Sequence, residues 1–329
     1  MIPKKSRWKS QRDGFLDSLN YLDGRRKGEI KSLKTPWLKF DDAGTDGLEW
    51  HSTVVVGARP GGGKTLLKDQ IIRESFVKNP GEDFRVLDFE LEMMARTSAI
   101  REYSSILGRS YKYLCSADGV LAQEDLTKCH EYAKLRVKYP IDIVEEPCNI
   151  NEFEEIVMEY MNTHAIEEGG KRIYKKTLIC IDHAYLFKKG PAEKDKFDML
   201  YNLGEKLTFL KRRYPIIFVV LTQLNRSIDN PERNEDGKYG NYILSSDIFG
   251  ADALLQHADL LIGMNMPGKQ KIRYYGPERF IIENENIIAM HFIKCRNGDN
   301  RIGFFKAEFD KMKITEIPVP ASQQRKLST

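Results

Sequence analysis

Apolar residues along the chain fall into short continuous runs, separated by longer stretches in which apolar positions recur every three or four residues. The short runs predict buried strands, and the helically spaced stretches predict amphipathic helices. Because the strand runs are apolar throughout and alternate with helices, we expect an α/β fold with a mostly parallel sheet covered on both faces. The predicted strands are 53–56, 84–89, 141–144, 177–182, 216–221 and 259–264, and an antiparallel extension is predicted at 287–293, 302–309 and 313–317.

Helices are predicted where apolar residues have helical spacing. The predicted helices are one that starts at 64 and is ended by Asn79-Pro80-Gly81, and those at 90 to about 107, 151–168, 194–213 and 247–257. Three other regions lack a clear pattern, and we expect partial helix at 110–139, an irregular lead-in at 37–50 and a polar loop at 225–245.

The basic N-terminal region contains one short amphipathic segment. Phe15, Leu19 and Leu22 share one face of a helix predicted at about 13–23, and the pattern breaks at Asp23-Gly24, after which we expect a linker. That face docks either onto its own domain or onto a neighbour, and the sequence leaves both possibilities open. The expected organisation is a basic segment with this helix (1–35), an α/β domain (36–317) and a disordered tail (318–329).

The first predicted strand runs into a glycine-rich turn and then into a helix, in the order that phosphate binding requires. Glycines let backbone N–H groups turn onto phosphate oxygens, and the helix N-terminus adds its positive end. Lys64 would reach the β and γ phosphates of ATP, and the Thr65 hydroxyl would bind Mg²⁺. The alternative is an ordinary glycine-rich turn. The predicted nucleotide contacts are Ala58, Arg59, Pro60, Gly61, Gly62, Gly63, Lys64 and Thr65.

Hydrolysis of a bound triphosphate also needs a metal ligand and a group that orients water. Asp182 ends an apolar strand, where an acid can bind Mg²⁺ through water; alternatively it caps the next turn. Glu92 follows another strand and would polarise the attacking water, or it is a first-turn helix glutamate favoured by the dipole. Gln223 lies just beyond a third strand, either as a sensor of the γ-phosphate or as a solvated loop residue.

Five sequence blocks, taken together, resemble replicative hexameric helicases of the DnaB type, which belong to the RecA-like P-loop ATPases. They resemble, in family order, the phosphate loop (with alanine at its first position), the segment of the catalytic glutamate, the Walker B strand, the sensor motif and the lysine and arginine-finger strand. The blocks are GARPGGGKT (57–65), FELEM (89–93), LICID (178–182), LTQLNRS (221–227) and IKCRNG (293–298).

The resemblance implies a RecA-like fold and a homo-oligomeric ring, a hexamer, with ATP and Mg²⁺ between subunits. Arg296, together with Lys294, would then enter the neighbouring subunit's site and stabilise charge in the transition state. From the residues alone, two cations spaced by two lie on one face of a strand, which is either a solvated surface or an anion site.

The resemblance also implies single-stranded DNA as a partner, gripped along its backbone by loops, and a primase, polymerase or loader as further partners. The matching basic residues are Lys188, Lys189, Lys194, Lys196 and Arg226. Contact with phosphates suits sequence-independent tracking, but a solvated basic loop is the alternative. Two departures affect this assignment: Ile248 stands where bacterial members usually carry arginine, and His183 replaces a common aromatic residue.

Composition limits the kind of protein and its compartment, but it does not decide the function. The balance of 52 Lys+Arg to 48 Asp+Glu gives a net charge of +4, which neither requires nor opposes nucleic-acid binding. Five cysteines without metal-type spacing are typical of free thiols in a reducing compartment. There is no apolar run of membrane-spanning length and no apolar signal-peptide core, so we expect a cytoplasmic protein of a bacterial or phage-infected cell.

Three functions remain open at this stage: a DNA helicase or translocase, a RecA-like recombination ATPase, and an ATP-binding regulator or loader that does not unwind DNA. The 293–298 and 221–227 blocks favour the first over the second. Full-length bacterial family members carry an N-terminal helical domain, whereas only about thirty-five residues precede the core here. We therefore expect a minimal ring ATPase without that collar, as in phage-encoded relatives.

Overall fold

The computed structural model describes residues 8–191, 193–234, 240–248 and 250–318. Within them, nine strands form one sheet in the order β13-β12-β11-β8-β1-β7-β6-β2-β3, and two small hairpins stand apart from it. The strands are β1 (Ser52–Ala58), β2 (Phe84–Glu90), β3 (Ile141–Val144), β4 (Ile166–Glu168), β5 (Lys171–Ile173), β6 (Lys176–Asp182), β7 (Ile216–Gln223), β8 (Leu260–Asn265), β9 (Tyr274–Tyr275), β10 (Phe280–Ile281), β11 (Ile287–Cys295), β12 (Arg301–Glu308) and β13 (Lys313–Glu316).

The sheet is parallel from β8 to β3 and antiparallel beyond β8. β1 pairs in parallel with β7 and β8, and β6 and β2 continue the parallel set to β3 at the edge. β11 runs antiparallel to β8, and β12 and β13 extend that side. The predicted α/β sheet with an antiparallel C-terminal extension is therefore confirmed.

Helices cover both faces of the sheet because successive strand residues point to opposite sides. Val54 and Val56 pack with the apolar residues of α3, whereas Val55 packs on the other side with residues of α7 and α8. The helices in the described residues are α1 (Gln11–Lys27), α2 (Leu38–Ala43), α3 (Lys64–Lys78), α4 (Ala95–Leu107), α5 (Tyr111–Cys115), α6 (Gln123–Arg136), α7 (Ile150–Thr163), α8 (Lys196–Arg213) and α9 (Ala251–Leu255). Among them, every helix is too short or too polar to cross a lipid bilayer.

The first helix is longer than the sequence indicates. Ser10 caps its N-terminus, and Gly28, with φ of 73°, closes it in the left-handed conformation. Gly24 lies inside the helix, where a Cβ would come within 2.7 Å of the Ile30 side chain, so this glycine serves close packing. The predicted break at Asp23-Gly24, and the linker after it, were therefore wrong.

The apolar face of α1 is not buried against its own chain. Phe15, Leu19 and Leu22 are 64%, 60% and 61% exposed. The C-terminal end of the helix is attached instead, because Arg25 donates to the Ser32 hydroxyl and the Thr45 carbonyl, each over 2.9 Å. Docking of the apolar face onto the same chain is therefore excluded in the described structure.

Further boundaries differ from the sequence prediction, including that of α4, which begins at Ala95 and not at residue 90. The lead-in at 37–50 contains α2, anchored where the Trp37 indole donates to the Ile314 carbonyl over 2.9 Å. The helix predicted at 151–168 ends at Thr163, and the chain continues into the β4–β5 hairpin. The helix predicted at 247–257 is shorter, at α9, and the tail prediction for 319–329 lies outside the described residues.

Candidate nucleotide-binding site

The glycine-rich turn between β1 and α3 has the backbone geometry of an anion cradle. Gly61 and Gly63 adopt positive φ angles of 70° and 88°, which L side chains rarely tolerate. At Gly62 a Cβ would lie 2.8 Å from the Arg59 carbonyl oxygen, so side chains are excluded from this position as well. α3 begins at Lys64, and its free N–H groups therefore face the turn.

A cavity of about 640 Å³ opens beside this turn, at the carboxyl ends of the parallel strands. Ligands bind at this edge in open α/β sheets, and the volume suits a nucleotide. The cavity brings Lys64 and Thr65 together with Glu92 and Gln223, residues from three separate segments. Its lining is completed by residues 60–63, Leu66, Thr97, Arg101, Tyr111, His183, Phe309 and Met312.

Lys64 is the cation at the centre of this site. Its ammonium donates to the Ala58 carbonyl over 3.3 Å. Burial lowers the pKa of Lys64, and the nearby carboxylates of Asp182 and Glu92 act in the opposite direction. An anionic ligand in the cavity would favour the charged form further, as the phosphates of ATP do.

Asp182 ends β6 and is 1% exposed. Neither of its carboxylate oxygens has a hydrogen-bond partner in the described part of the chain. Buried polar atoms are rarely left in this condition, so the two oxygens fit a role in holding hydrated Mg²⁺. The described residues contain no group of three or more His, Cys, Asp or Glu that would hold a metal alone. The Thr65 hydroxyl, phosphate oxygens and water would have to complete the coordination.

Glu92 lies in the loop between β2 and α4, three residues before the first residue of that helix, and is exposed. It is therefore not a first-turn helix glutamate. Glu90 stands in register with Asp182, and the Leu91 amide donates to the Asp182 carbonyl over 3.0 Å. Gln223 is the last residue of β7 and half-buried, so it is not a solvated loop residue. The catalytic roles of both residues stay predictions.

Lys294 and Arg296 lie at the amino ends of the parallel strands, at the opposite end from the phosphate loop. Arg296 follows β11 in a turn, where its amide donates to the Asp259 carbonyl and its guanidinium pairs with the Asp259 carboxylate over 3.1 Å. The Asp259 amide donates in turn to the Thr53 carbonyl, at the start of β1. The phosphate loop follows the other end of β1, about 20 Å away for seven extended residues.

The sequence had predicted both cations on one face of a strand, but only Lys294 belongs to β11, which ends before Arg296. Burial lowers the pKa of Lys294, and the nearby charge of Arg296 lowers it further, so the two cations still lie close together. The Lys294 side chain is half-buried, and its ammonium donates to the Leu255 carbonyl over 2.6 Å. The Arg296 side chain is 53% exposed.

The basic residues after β6 differ in exposure and in their bonds within the chain. Lys188, Lys189 and Lys194 are exposed, although the Lys189 ammonium donates to the Lys194 carbonyl over 3.0 Å. Lys196 is the first residue of α8, and its ammonium donates to the backbone carbonyls of Tyr185 and Phe187. The charge of Lys196 is thus used within the chain, which weakens its assignment as a DNA contact.

The loop after β7 carries Arg226, which is exposed in a short 3₁₀ turn. Ile248 lies nearby but is 1% exposed and bridges to Leu224. The neighbouring Asp247 is also buried, and Arg233 pairs with it over 2.6 Å. At this position the chain therefore presents a core residue, and not the arginine that the resemblance had led us to expect.

Two features of the site were missed from the sequence. Arg59 was predicted only as part of the phosphate loop, but its side chain pairs with Asp229 over 2.7 Å and donates to the Leu224 carbonyl over 3.2 Å. Lys269 donates to the Gly61 carbonyl over 3.0 Å. Their partners are more than 150 residues away in sequence, so no local pattern could have indicated them.

A family model for the DnaB-like helicase C terminal domain matches residues 32–315. The chain belongs to this family. The replicative DNA helicase DnaB of Helicobacter pylori strain J99 is 26% identical to this DnaB-like chain over 308 residues, which cover 93% of the chain and 54% of that relative. The DnaB-like chain thus spans about half the length of the curated relatives it matches first.

Two solved structures share the fold of this DnaB-like domain. The first is an ATPase domain that superimposes with a TM-score of 0.76 at 18% identity, covering 94% of this chain and 100% of that one. The second, a DnaB-like replicative helicase studied for its interactions with primase, gives 0.71 at 16% identity, covering 96% of this chain and 68% of that one. The predicted RecA-like fold and the DnaB-type resemblance are therefore confirmed.

Proposed function

We propose that this DnaB-like chain is the motor of an ATP-driven DNA helicase or translocase, which acts as a ring, a hexamer, on single-stranded DNA. The observation that carries the proposal is the placement of the two half-sites. The phosphate loop lies at the carboxyl edge of the sheet and Arg296 at the amino edge. A subunit therefore cannot bring its own Arg296 to its own nucleotide, whereas a head-to-tail ring brings it to the next subunit's nucleotide.

Each residue of the site has one role in this proposal. The loop amides and Lys64 bind the triphosphate, Glu92 polarises the attacking water, and Gln223 senses the γ-phosphate. Arg296 and Lys294 of the adjoining subunit stabilise the charge that develops on the phosphate. Mg²⁺, held by Thr65 and through water by Asp182, would neutralise phosphate charge when bound.

Nucleic acid enters the proposal through the exposed cations after β6 and β7. Lys188, Lys189, Lys194 and Arg226 are available at the surface for phosphates of a single strand, and Lys196 is the weakest of the predicted contacts. The solved DnaB-like helicase described with primase supports primase as a partner, and a polymerase or loader remains part of the same proposal.

The chain consists, in this proposal, of an ATPase domain and an N-terminal segment that contacts a neighbouring subunit. Residues 36–317 form the ATPase domain, and α1 in the 1–35 segment docks through Phe15, Leu19 and Leu22 onto a neighbouring subunit. The exposure of that apolar face in a single chain supports this role.

The decisive experiment mixes two inactive variants. Arg296→Ala and Lys64→Ala should each lack ATP hydrolysis, and only Lys64→Ala should lose tight binding of a non-hydrolysable analogue. Equal mixing of the two gives about a quarter of interfaces an intact loop facing an intact arginine, so about a quarter of the activity should return. Failure to complement, or normal turnover by Arg296→Ala, would show that the site lies within one subunit.

The second candidate function is an ATP-binding regulator or loader that does not unwind DNA. The burial of Ile248, where relatives usually carry a cation, favours it. ATPase rates with and without oligo-dT, followed by strand displacement on a forked duplex, separate the two functions. Stimulation together with displacement supports the helicase; ATP binding with neither supports the regulator.

A further inference from the structure

A lysine is fully buried beneath the nucleotide site. Lys68 lies one helical turn after Lys64 in α3, and its side chain is 0% exposed. Its ammonium pairs with Asp88 over 2.9 Å, with Asp69 over 3.3 Å, and most closely with Glu90. A buried lysine is rare unless its charge is paired, and these carboxylates supply that pairing.

The partners of Lys68 come mainly from one face of β2. Phe84 and Val86 on that face pack against the apolar core next to α3, but the next two residues on the same face are Asp88 and Glu90. The strand therefore changes from apolar to acidic towards its carboxyl end. Lys68 stands opposite the acidic half.

The ammonium of Lys68 stays charged in this setting. Burial acts to lower the pKa of Lys68, but the carboxylates of Asp88, Asp69 and Asp182 outweigh it and leave the pKa above its ordinary value. A permanent cation between α3 and β2 holds the two elements together through short contacts that water does not screen.

Glu90 connects this pairing to the segment that carries Glu92. One oxygen of Glu90 accepts from Lys68, and the other accepts from the Ser98 hydroxyl in α4. Glu92 lies between Glu90 and Ser98 in sequence, so both ends of its segment meet at one carboxylate. That carboxylate is in turn bound to the helix that begins at the phosphate loop.

We propose that Lys68 is a positioning residue that, through Glu90, fixes Glu92 relative to the phosphate loop. This inference rests on the proposed function, in which Glu92 polarises water. Lys68 does not line the nucleotide cavity, and its effect is therefore on turnover and not on nucleotide affinity. A general base or water-orienting group that is displaced by about 1 Å loses roughly two orders of magnitude in rate.

The test is Lys68→Met in the full chain, a substitution of similar length without the charge. We expect kcat for ATP to fall about tenfold or more, while the Kd for a fluorescent non-hydrolysable ATP analogue stays within about threefold. A kcat close to that of the parent would overturn the inference, as would a loss that appears only in Kd.

Two further substitutions separate positioning from general stability. Glu90→Gln keeps an amide oxygen that accepts from Lys68 and places an amide N–H that can donate to the Ser98 hydroxyl oxygen. Glu90→Leu can do neither, so it should lose far more kcat. Equal losses in the two would contradict the inference. The matched control is Lys206→Met, which removes a lysine paired with Glu154 between α8 and α7, away from the site; its kcat should not change.

Ser98→Ala keeps the inference testable if Lys68→Met does not fold. It removes only the bond from α4 to Glu90, and kcat should fall several-fold with an unchanged Kd. Glu92→Gln distinguishes the two levels of the argument. If Glu92→Gln abolishes turnover but neither Lys68→Met nor Ser98→Ala affects it, this inference alone fails; if Glu92→Gln is fully active, the assignment of Glu92 in the proposed function fails.

Discussion

The guanidinium of Arg59 in the phosphate loop donates to the carboxylate of Asp229 in the loop after β7, over 2.7 Å. The second carboxylate oxygen of Asp229 accepts from the Gln270 amide over 3.2 Å, so its position is fixed from two sides. The loop that contains Asp229 also carries Arg226, a predicted DNA contact. This ion pair therefore joins the nucleotide-binding loop directly to the loop proposed to grip the strand.

Disrupting this pair should uncouple hydrolysis from DNA. We expect Arg59→Gln and Asp229→Asn each to lower the ratio of ATPase rates with and without oligo-dT about fivefold or more, because the two loops then move independently. A double-mutant cycle provides the control: the double variant should lose no more than either single one. Multiplying effects, or an unchanged ratio, would mean that the pair carries no coupling.

Asp182→Asn should separate activity from stability. The buried carboxylate has no hydrogen-bond partner in the described chain. Burial raises the pKa of both Asp69 and Asp88, and the charge of Asp182 raises them further by repulsion. The same charge attracts Lys68, so the two effects oppose each other. Removing it should abolish hydrolysis, yet leave the Tm without nucleotide and Mg²⁺ within about 2 °C of the parent. Thermal unfolding and an ATPase assay on the same sample check this, and a Tm lower by more than about 5 °C would assign Asp182 a structural role.

Asp41 should make stability depend on pH. Burial raises the pKa of Asp41 to about 6, although the Thr35 amide donates to it over 2.8 Å. The folded chain therefore holds this proton more tightly than the unfolded chain, whose pKa is near 4, and folding stability falls as pH rises from about 4 through about 6. Asp41→Asn keeps the hydrogen bond without the titration, so it should gain up to about 3 kcal/mol on the parent between pH 4 and pH 7.

Urea unfolding at a series of pH values measures this difference. Asp42→Asn, next to Asp41 but with a side chain that is 63% exposed, is the control and should show no such trend. A difference between Asp41→Asn and the parent that shrinks as pH rises would reverse the sign and contradict the argument.

The apolar face of α1 should matter for assembly alone. Leu19→Ser combined with Phe15→Ser removes exposed apolar surface, so the unfolding of the isolated chain should not change. Sedimentation velocity with an ATP analogue should instead show smaller particles at equal protein concentration. Val137→Ser, an 80% exposed apolar residue on another surface, should leave particle size unchanged. If the α1 variant assembles like the parent, the face is not a subunit contact.

Local sequence pattern was sufficient for the nine strands of the main sheet and for the phosphate loop, but not for the two small hairpins. The β-branched run ending at Ala58, the glycines and Lys64 are neighbours in sequence, and their conformations follow from short-range sterics. The parallel arrangement also followed, since apolar runs that alternate with helices leave few topologies. Asp182 was predicted as a site residue because it ends a strand, and Glu92 because it closely follows one.

Long-range contacts explain what the sequence did not indicate. Gly24 is a residue type that often ends a helix, but here it leaves room for the side chain of Ile30, six residues later. α2 depends on Trp37 reaching Ile314 at the other end of the chain. Nothing in the local sequence marks Lys68, and only the packing of α3 on β2 shows that three carboxylates enclose it. Tertiary packing here overrides the local preference.

The separation of the phosphate loop and Arg296 by the length of β1 has a kinetic consequence. On the proposed mechanism, every closed circle of n protomers contains n complete catalytic units, while an open row of the same n has one fewer and a solitary protomer has none. Specific activity should therefore climb steeply with protein concentration and then level off once circles close. ATP would be hydrolysed only by assembled rings, and dilution below the assembly concentration would stop hydrolysis.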